Sequence, residues 1–132
     1  MKIRLIVILI SSAINLSITA QDPVKTSTKT KVIYGTASFY ANKFSGKKTA
    51  SGEIFRQDKM TAACNVLPLG TWVKVTNLKN RRSVTVKVND RLHTKMKRVL
   101  DLTRSAAQQL GYIRSGLTRV RVEVISKKPA EK

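Results

Sequence analysis

Hydrophobic and polar residues alternate with a period of two along much of the chain. Thr71-Trp72-Val73-Lys74-Val75-Thr76 puts Val73 and Val75 on one face. Ser83 to Asn89 does the same with Val84, Val86 and Val88, and Arg119 to Ile125 with Val120, Val122 and Val124. Alternation in β-branched residues marks half-buried strands. Val32 to Phe39 is a less regular candidate, and Val99 to Leu102 a short one. One stretch changes period: Ala106, Ala107 and Leu110 fall at helical spacing, with Thr103 placed to cap the start and Gly111 to stop it. Asn77-Leu78-Lys79-Asn80 reads as a hairpin turn. Several short strands with one helix in so short a region predict a small closed barrel, a fold that leaves no unpaired edge.

The flanks carry a different pattern. Lys2 and Arg4 precede the unbroken apolar run Leu5 to Ile10, and Ile18-Thr19-Ala20 ends in a small residue. This is the order of a secretory signal peptide, with cleavage expected after Ala20. A spanning helix needs about 20 apolar residues, and Ser11, Ser12, Asn15 and Ser17 interrupt this run. Four segments are therefore expected: a signal peptide over residues 1–20, a flexible leader over 21–30, a barrel domain over 31–126 and a tail over 127–132. No cysteine lies near the cleavage point, so the expected product is exported, periplasmic or extracellular, and not lipid-anchored.

Composition narrows the partners. The 132 residues carry 26 Lys+Arg and 7 Asp+Glu, a formal net charge of +19. Removing residues 1–20 leaves +17. Such a charge points to an anionic partner. Export argues against nucleic acid, and 5% aromatic content leaves little for a stacking surface. A wall polymer fits better. The bland reading of Lys74, Lys79, Arg81, Arg82, Lys87, Arg119 and Arg121 is a solvated polar face; the sharper one is a surface that tracks a polyanion. One Cys and one His exclude a disulfide framework, a multi-cysteine zinc site and a His-rich centre, so no metal or cofactor is expected.

With seven acids, the candidates can be weighed singly. Asp22 and Glu131 lie in the flanks, Asp58 in a polar turn, and Glu123 outward between arginines. Asp90 continues the row Val84, Val86, Val88 at a strand's end, where a barrel opens. A carboxylate on the rim of an apolar face is partly desolvated, which suits general acid chemistry. The plain alternative is a turn cap or a pair with Arg91. Glu53 follows Gly52 in a loop that either presents it or leaves it solvated. Asp101 is assigned to the helix start. Cys64 reads as a small buried hydrophobe, and His93 as a surface-loop histidine.

Taken in order, these segments resemble a known family. The blocks are Gly35 to Tyr40, Thr49 to Phe55, Thr61-Ala62-Ala63 and Leu67 to Thr71, followed by Val75 to Leu78, Val88-Asn89-Asp90-Arg91, Asp101-Leu102-Thr103 and Ala106-Ala107. They are similar to the rare lipoprotein A (RlpA-like) family over about residues 34–125. The resemblance implies a mainly β fold, a six-stranded double-psi β-barrel with one or two short helices. It implies an endolytic lytic transglycosylase, a carbon–oxygen lyase. Such an enzyme cleaves MurNAc–GlcNAc bonds in peptidoglycan strands, prefers strands without stem peptides, and leaves 1,6-anhydro-MurNAc ends. It places the catalytic roles on Asp90 and Glu53, with Cys64, Arg91, His93 and Tyr40 binding substrate or supporting the site. A monomer with no membrane anchor after cleavage is expected. Two departures matter. Cys64 stands where the family commonly has His, and Leu92-His93 where it commonly has Gly-Pro. His93 is the candidate to replace the lost imidazole. The rival reading is a non-catalytic glycan-binding barrel in which the change to Cys64 has cost activity. A third is a basic binder of anionic lipid or another polyanion.

Overall fold

The computed structural model describes residues 13–14, 17–21 and 29–125. Most of the expected signal peptide and leader, and all of the expected tail, lie outside the described residues. Six strands close into a barrel: β1 (Val32–Phe39), β2 (Thr61–Ala63), β3 (Trp72–Asn77), β4 (Ser83–Asp90), β5 (Leu100–Leu102) and β6 (Thr118–Ile125). Their order around the barrel is β1-β5-β2-β4-β3-β6. β1 runs parallel to β5 and β2 parallel to β4; the remaining neighbours are antiparallel. A single-turn 3-10 helix (Asn42–Phe44) follows β1, and α1 (Arg104–Leu110) follows β5.

The alternating valines account for the interior. Val73, Val75, Val86, Val88, Val120 and Val122 are fully buried, together with Leu100, Leu102 and Leu110. Each such side chain taken from water is worth about 1.5–3 kcal/mol. Thr103 caps α1 by accepting from the Ala106 N–H at 3.3 Å, and Gly111 ends it at φ 78°. Gly35 is required for a different reason: a Cβ there would lie 2.7 Å from Val99 Cγ1. The hairpin joining β3 to β4 turns on Asn77, whose buried amide donates to the Leu110 carbonyl at 2.9 Å and accepts from the Thr118 hydroxyl at 2.7 Å.

One element was not legible as a strand. β2 is three residues long, and all three are buried. It is wedged between β4 and β5 and lacks alternation because both of its faces are covered. The pairing of β2 with β4 shifts register between Ala62 and Ala63, which opposes Ala63 to Asp90 at the barrel mouth.

Candidate active site

Asp90 ends β4 half-buried, and three donors hold its carboxylate. Oδ1 accepts from the Ala50 N–H at 2.9 Å and from the Arg91 N–H at 2.8 Å. Oδ2 accepts from the Tyr40 hydroxyl at 2.7 Å. One oxygen is thus pinned by backbone, and the other is held by a rotatable hydroxyl. Tyr40 is itself rigid: it is 9% exposed, its ring centroid lies 4.2 Å from that of Phe55, and Phe44 meets it edge-on at 5.8 Å. Burial, then the hydrogen bond and charge of Asp90, and then the charge of Asp101 push the Tyr40 phenol far above its ordinary range. It therefore stays a neutral donor.

Asp90 opens onto a cavity of about 660 Å³, shared with Tyr40, Asp101, Arg98, His93 and Phe44. Asp101 was assigned to the helix start. It lies in β5, within the short strand expected over Val99–Leu102, opposite Ala63 and on the wall of this cavity. Its carboxylate is gripped by Arg98 through Nε at 2.9 Å and Nη2 at 3.1 Å. The Asp101 carboxylate in turn holds the Arg98 guanidinium protonated beyond its usual range. The sequence did carry a trace of this: Asp101 lies between Leu100 and Leu102, so strand parity turns it away from the core.

Glu53 is placed differently from Asp101. The hairpin Lys48–Ile54 turns at Gly52 (φ 88°), and the Thr49 N–H bonds to the Glu53 carbonyl at 2.8 Å. The loop then reaches Asp90 from Ala50, while the Glu53 carboxylate pairs with Lys87 at 2.9 Å. The hydrogen bond from Lys87 holds Glu53 below the usual carboxylate range. Glu53 lines a second, smaller recess with Lys87 and Asn89. The two expected catalytic carboxylates therefore flank one loop and do not share a cavity; the carboxylate that shares one with Asp90 is Asp101.

The supporting residues separate as well. Cys64 is fully buried in the core, and its backbone N–H donates to the Asp90 carbonyl at 3.0 Å. The Arg91 guanidinium turns back to donate to the carbonyls of Cys64 and, at 2.6 Å, Leu67. It braces the loop after β2 while lining the cavity beside Asp90. His93 is exposed on the cavity rim, where its Nδ1 accepts from the Lys95 N–H at 3.2 Å. Among the described residues no group of three or more His, Cys, Asp or Glu side chains could hold a metal ion. No helix among them is long and apolar enough to cross a membrane.

Residues 32–122 match the lytic transglycolase family. Over 91 residues the chain is 52% identical to the endolytic peptidoglycan transglycosylase RlpA of Pasteurella multocida, covering 69% of this chain and 31% of that protein. It is 50% identical over 91 residues to the protein of the same name from Campylobacter jejuni, covering 69% of this chain and 33% of that one. The chain thus spans about a third of the length of these curated relatives. Among solved structures, the expansin of Clavibacter michiganensis superposes with a TM-score of 0.59 at 23% identity, over 76% of this chain and 53% of that one. The Streptomyces papain inhibitor does so with a TM-score of 0.58 at 18% identity, over 72% of this chain and 94% of that one. These two likenesses concern the fold alone. A barrel of six strands in this order, with the whole span from β1 into β6 matched, makes the chain a member of the lytic transglycolase family of RlpA-like double-psi β-barrels.

Proposed function

We propose that this barrel cleaves peptidoglycan glycan strands as an endolytic lytic transglycosylase, with Asp90 as the acid and then the base. The observation that carries this reading is the Asp90 carboxyl, fixed at the barrel mouth by three hydrogen bonds in a cavity that also holds the Asp101–Arg98 pair. The names of the RlpA relatives support the substrate class.

The geometry supports the following course of reaction. Protonated Asp90 gives its proton to the oxygen bridging MurNAc and GlcNAc. The C1–O bond breaks, and the GlcNAc hydroxyl departs. Positive charge develops at C1 of MurNAc, and the Asp101 carboxylate, oriented by Arg98, lines the same cavity as a polar neighbour. Asp90, now a carboxylate, takes the proton from the MurNAc C6 hydroxyl as O6 bonds to C1. The 1,6-anhydro ring closes, the enzyme regains its proton, and no water is consumed. One carboxyl thus serves both steps. Oδ2 is the atom suited to this traffic, because its protein partner is a hydroxyl that can donate or accept. Glu53 orders the Thr49–Glu53 loop, and that loop supplies the Ala50 donor to Asp90.

The protein acts as an exported monomer in the periplasm or outside the cell. Its basic surface, with Lys74, Arg81, Arg82 and Arg119 exposed, concentrates it on an anionic envelope. Incubation with peptide-stripped glycan strands tests the activity. New 1,6-anhydro-MurNAc ends, abolished by Asp90→Asn, are expected. A second reading, a non-catalytic glycan-binding barrel, is favoured by one observation: the Cys64 side chain is in the core, so no imidazole enters the cavity from that position. Strands retained by the protein without new anhydro ends would establish that reading instead.

A further inference from the structure

The end of the barrel remote from Asp90 carries a second surface. β4 runs from Ser83 to Asp90, so at the usual rise per residue its two ends lie about 23 Å apart. At the Ser83 end, the β3–β4 turn meets the segment between α1 and β6. The Leu78 N–H donates to the Arg119 carbonyl at 3.0 Å, and Lys79, Asn80, Gly111 and Arg114 line one depression there. Five cations stand exposed on these segments: Lys79, Arg81, Arg82, Arg114 and Arg119. No described acid answers them. Glu53, Asp58, Asp101 and Glu123 are each paired with a cation elsewhere, and Asp90 is at the opposite mouth.

The fold itself does not call for these charges. Basic side chains near a helix C-terminus often bond its last carbonyls. At the end of α1 the Leu110 carbonyl is already taken, by the amides of Asn77 at 2.9 Å and Asn80 at 2.8 Å. Arg81 turns the chain at φ 63°, a conformation that Gly or Asn adopts at lower cost. A cation holds that position in spite of the strain. Two apolar side chains stand among the cations: Leu78, 42% exposed, and Leu117, 52% exposed.

We propose that this end of the barrel docks on an anionic phospholipid bilayer. The cations meet lipid phosphates, and Leu78 and Leu117 enter the boundary between headgroups and acyl chains. A soluble polyanion would satisfy the charges but would offer the leucines nothing. The mixture of basic and apolar side chains therefore selects the bilayer. Docked in this way, the barrel turns the Asp90 mouth away from the lipid. This face takes no part in the proposed cleavage, so docking and cleavage stand or fall separately.

Sedimentation with vesicles tests this on the exported chain, residues 21–132. The vesicles are phosphatidylcholine alone and an equal mixture with phosphatidylglycerol. Saturable binding is expected to the mixture, weakening as salt is raised, with little to phosphatidylcholine alone. Lys79→Gln combined with Arg114→Gln should weaken binding about 25-fold, at about fivefold per cation. The same two charges removed beside the mouth, by Lys95→Gln with Lys97→Gln, should cost about twofold or less, since the mouth lies beyond a Debye length from the lipid. Leu78→Ala combined with Leu117→Ala should weaken binding about tenfold. All these positions are exposed, and an unchanged circular dichroism spectrum checks that each variant folds. Failure to bind the mixed vesicles overturns docking, as do equal losses from the two charge pairs. Binding indifferent to the leucine pair overturns it in favour of a soluble polyanion. Asp90→Asn should bind as the wild type does. Strand cleavage without vesicle binding would sink the docking face and leave the lyase reading standing; vesicle binding without cleavage would do the reverse.

Discussion

Tyr40→Phe isolates the contact on which the Asp90 geometry depends. The substitution deletes one oxygen and keeps the ring, which Phe55 and Phe44 hold in place. The lost bond is the 2.7 Å contact to Oδ2. Both remaining donors, Ala50 N–H and Arg91 N–H, lie on Oδ1, so no protein group replaces it. A hydrogen bond to a carboxylate contributes about 1.5–3 kcal/mol. The lower end applies, because Asp90 opens onto a cavity from which water can substitute. Unfolding in urea, followed by Trp72 fluorescence, is therefore expected to show a loss of about 1.5 kcal/mol. If the same bond holds the reacting carboxyl in place, strand cleavage falls about tenfold, since 1.36 kcal/mol is one decade in rate. A double-mutant cycle with Asp90→Ala makes the reasoning refutable. The effect of Tyr40→Phe should largely vanish when Asp90 is already Ala. Effects that add within about 0.5 kcal/mol would show that the hydroxyl does not act through Asp90.

Three further outcomes are expected. The Cys64 thiol, fully buried, should resist a thiol reagent in the native protein and react at a rate set by unfolding, whereas Cys64→His should overpack the core and cost about 1–3 kcal/mol; rapid labelling of native protein would contradict this burial. Glu53 is held below its ordinary value by Lys87, so its contribution to stability is present above about pH 4.5 and lost as pH falls through the folded value; Lys87→Met should raise the Glu53 titration seen by NMR towards the ordinary range. Burial pushes both Tyr40 and Tyr112 upward, so their contribution is intact below about pH 10 and lost as pH rises beyond it; phenolate absorbance from these two should appear together with loss of the circular dichroism signal, and two phenols ionising near pH 10 in a folded protein would refute it.

Legibility followed the range of the interactions. β1, β3, β4 and β6 were readable because alternate valines or aliphatics face one core, a pattern written within each strand. α1 was readable from Thr103, its small-residue face and Gly111, all local signals. β2 was not, because Thr61-Ala62-Ala63 owes its extended form to β4 and β5 on either side. Asp90 was reachable by strand parity, but Tyr40 is 50 residues away and Ala50 is 40, and no local pattern announces either contact. Asp101 was assigned by its nearest neighbour in sequence, the helix cap. Only the antiparallel pairing of β5 with β2 sets it in the cavity of Asp90.

The sequence by itself determined the barrel's inward face, the single helix, the ordered blocks that mark the family, and the short roster of acids from which any proton chemistry must be drawn. These follow from periodicity and composition, which act over a few residues. The tertiary structure decided which acids meet. Closing the barrel set Asp90 against Tyr40 and beside Asp101, and it sent Glu53 across the loop to Lys87 and Asn89. Those outcomes depend on strand register and on contacts between residues distant in sequence, and only the closed fold specifies them.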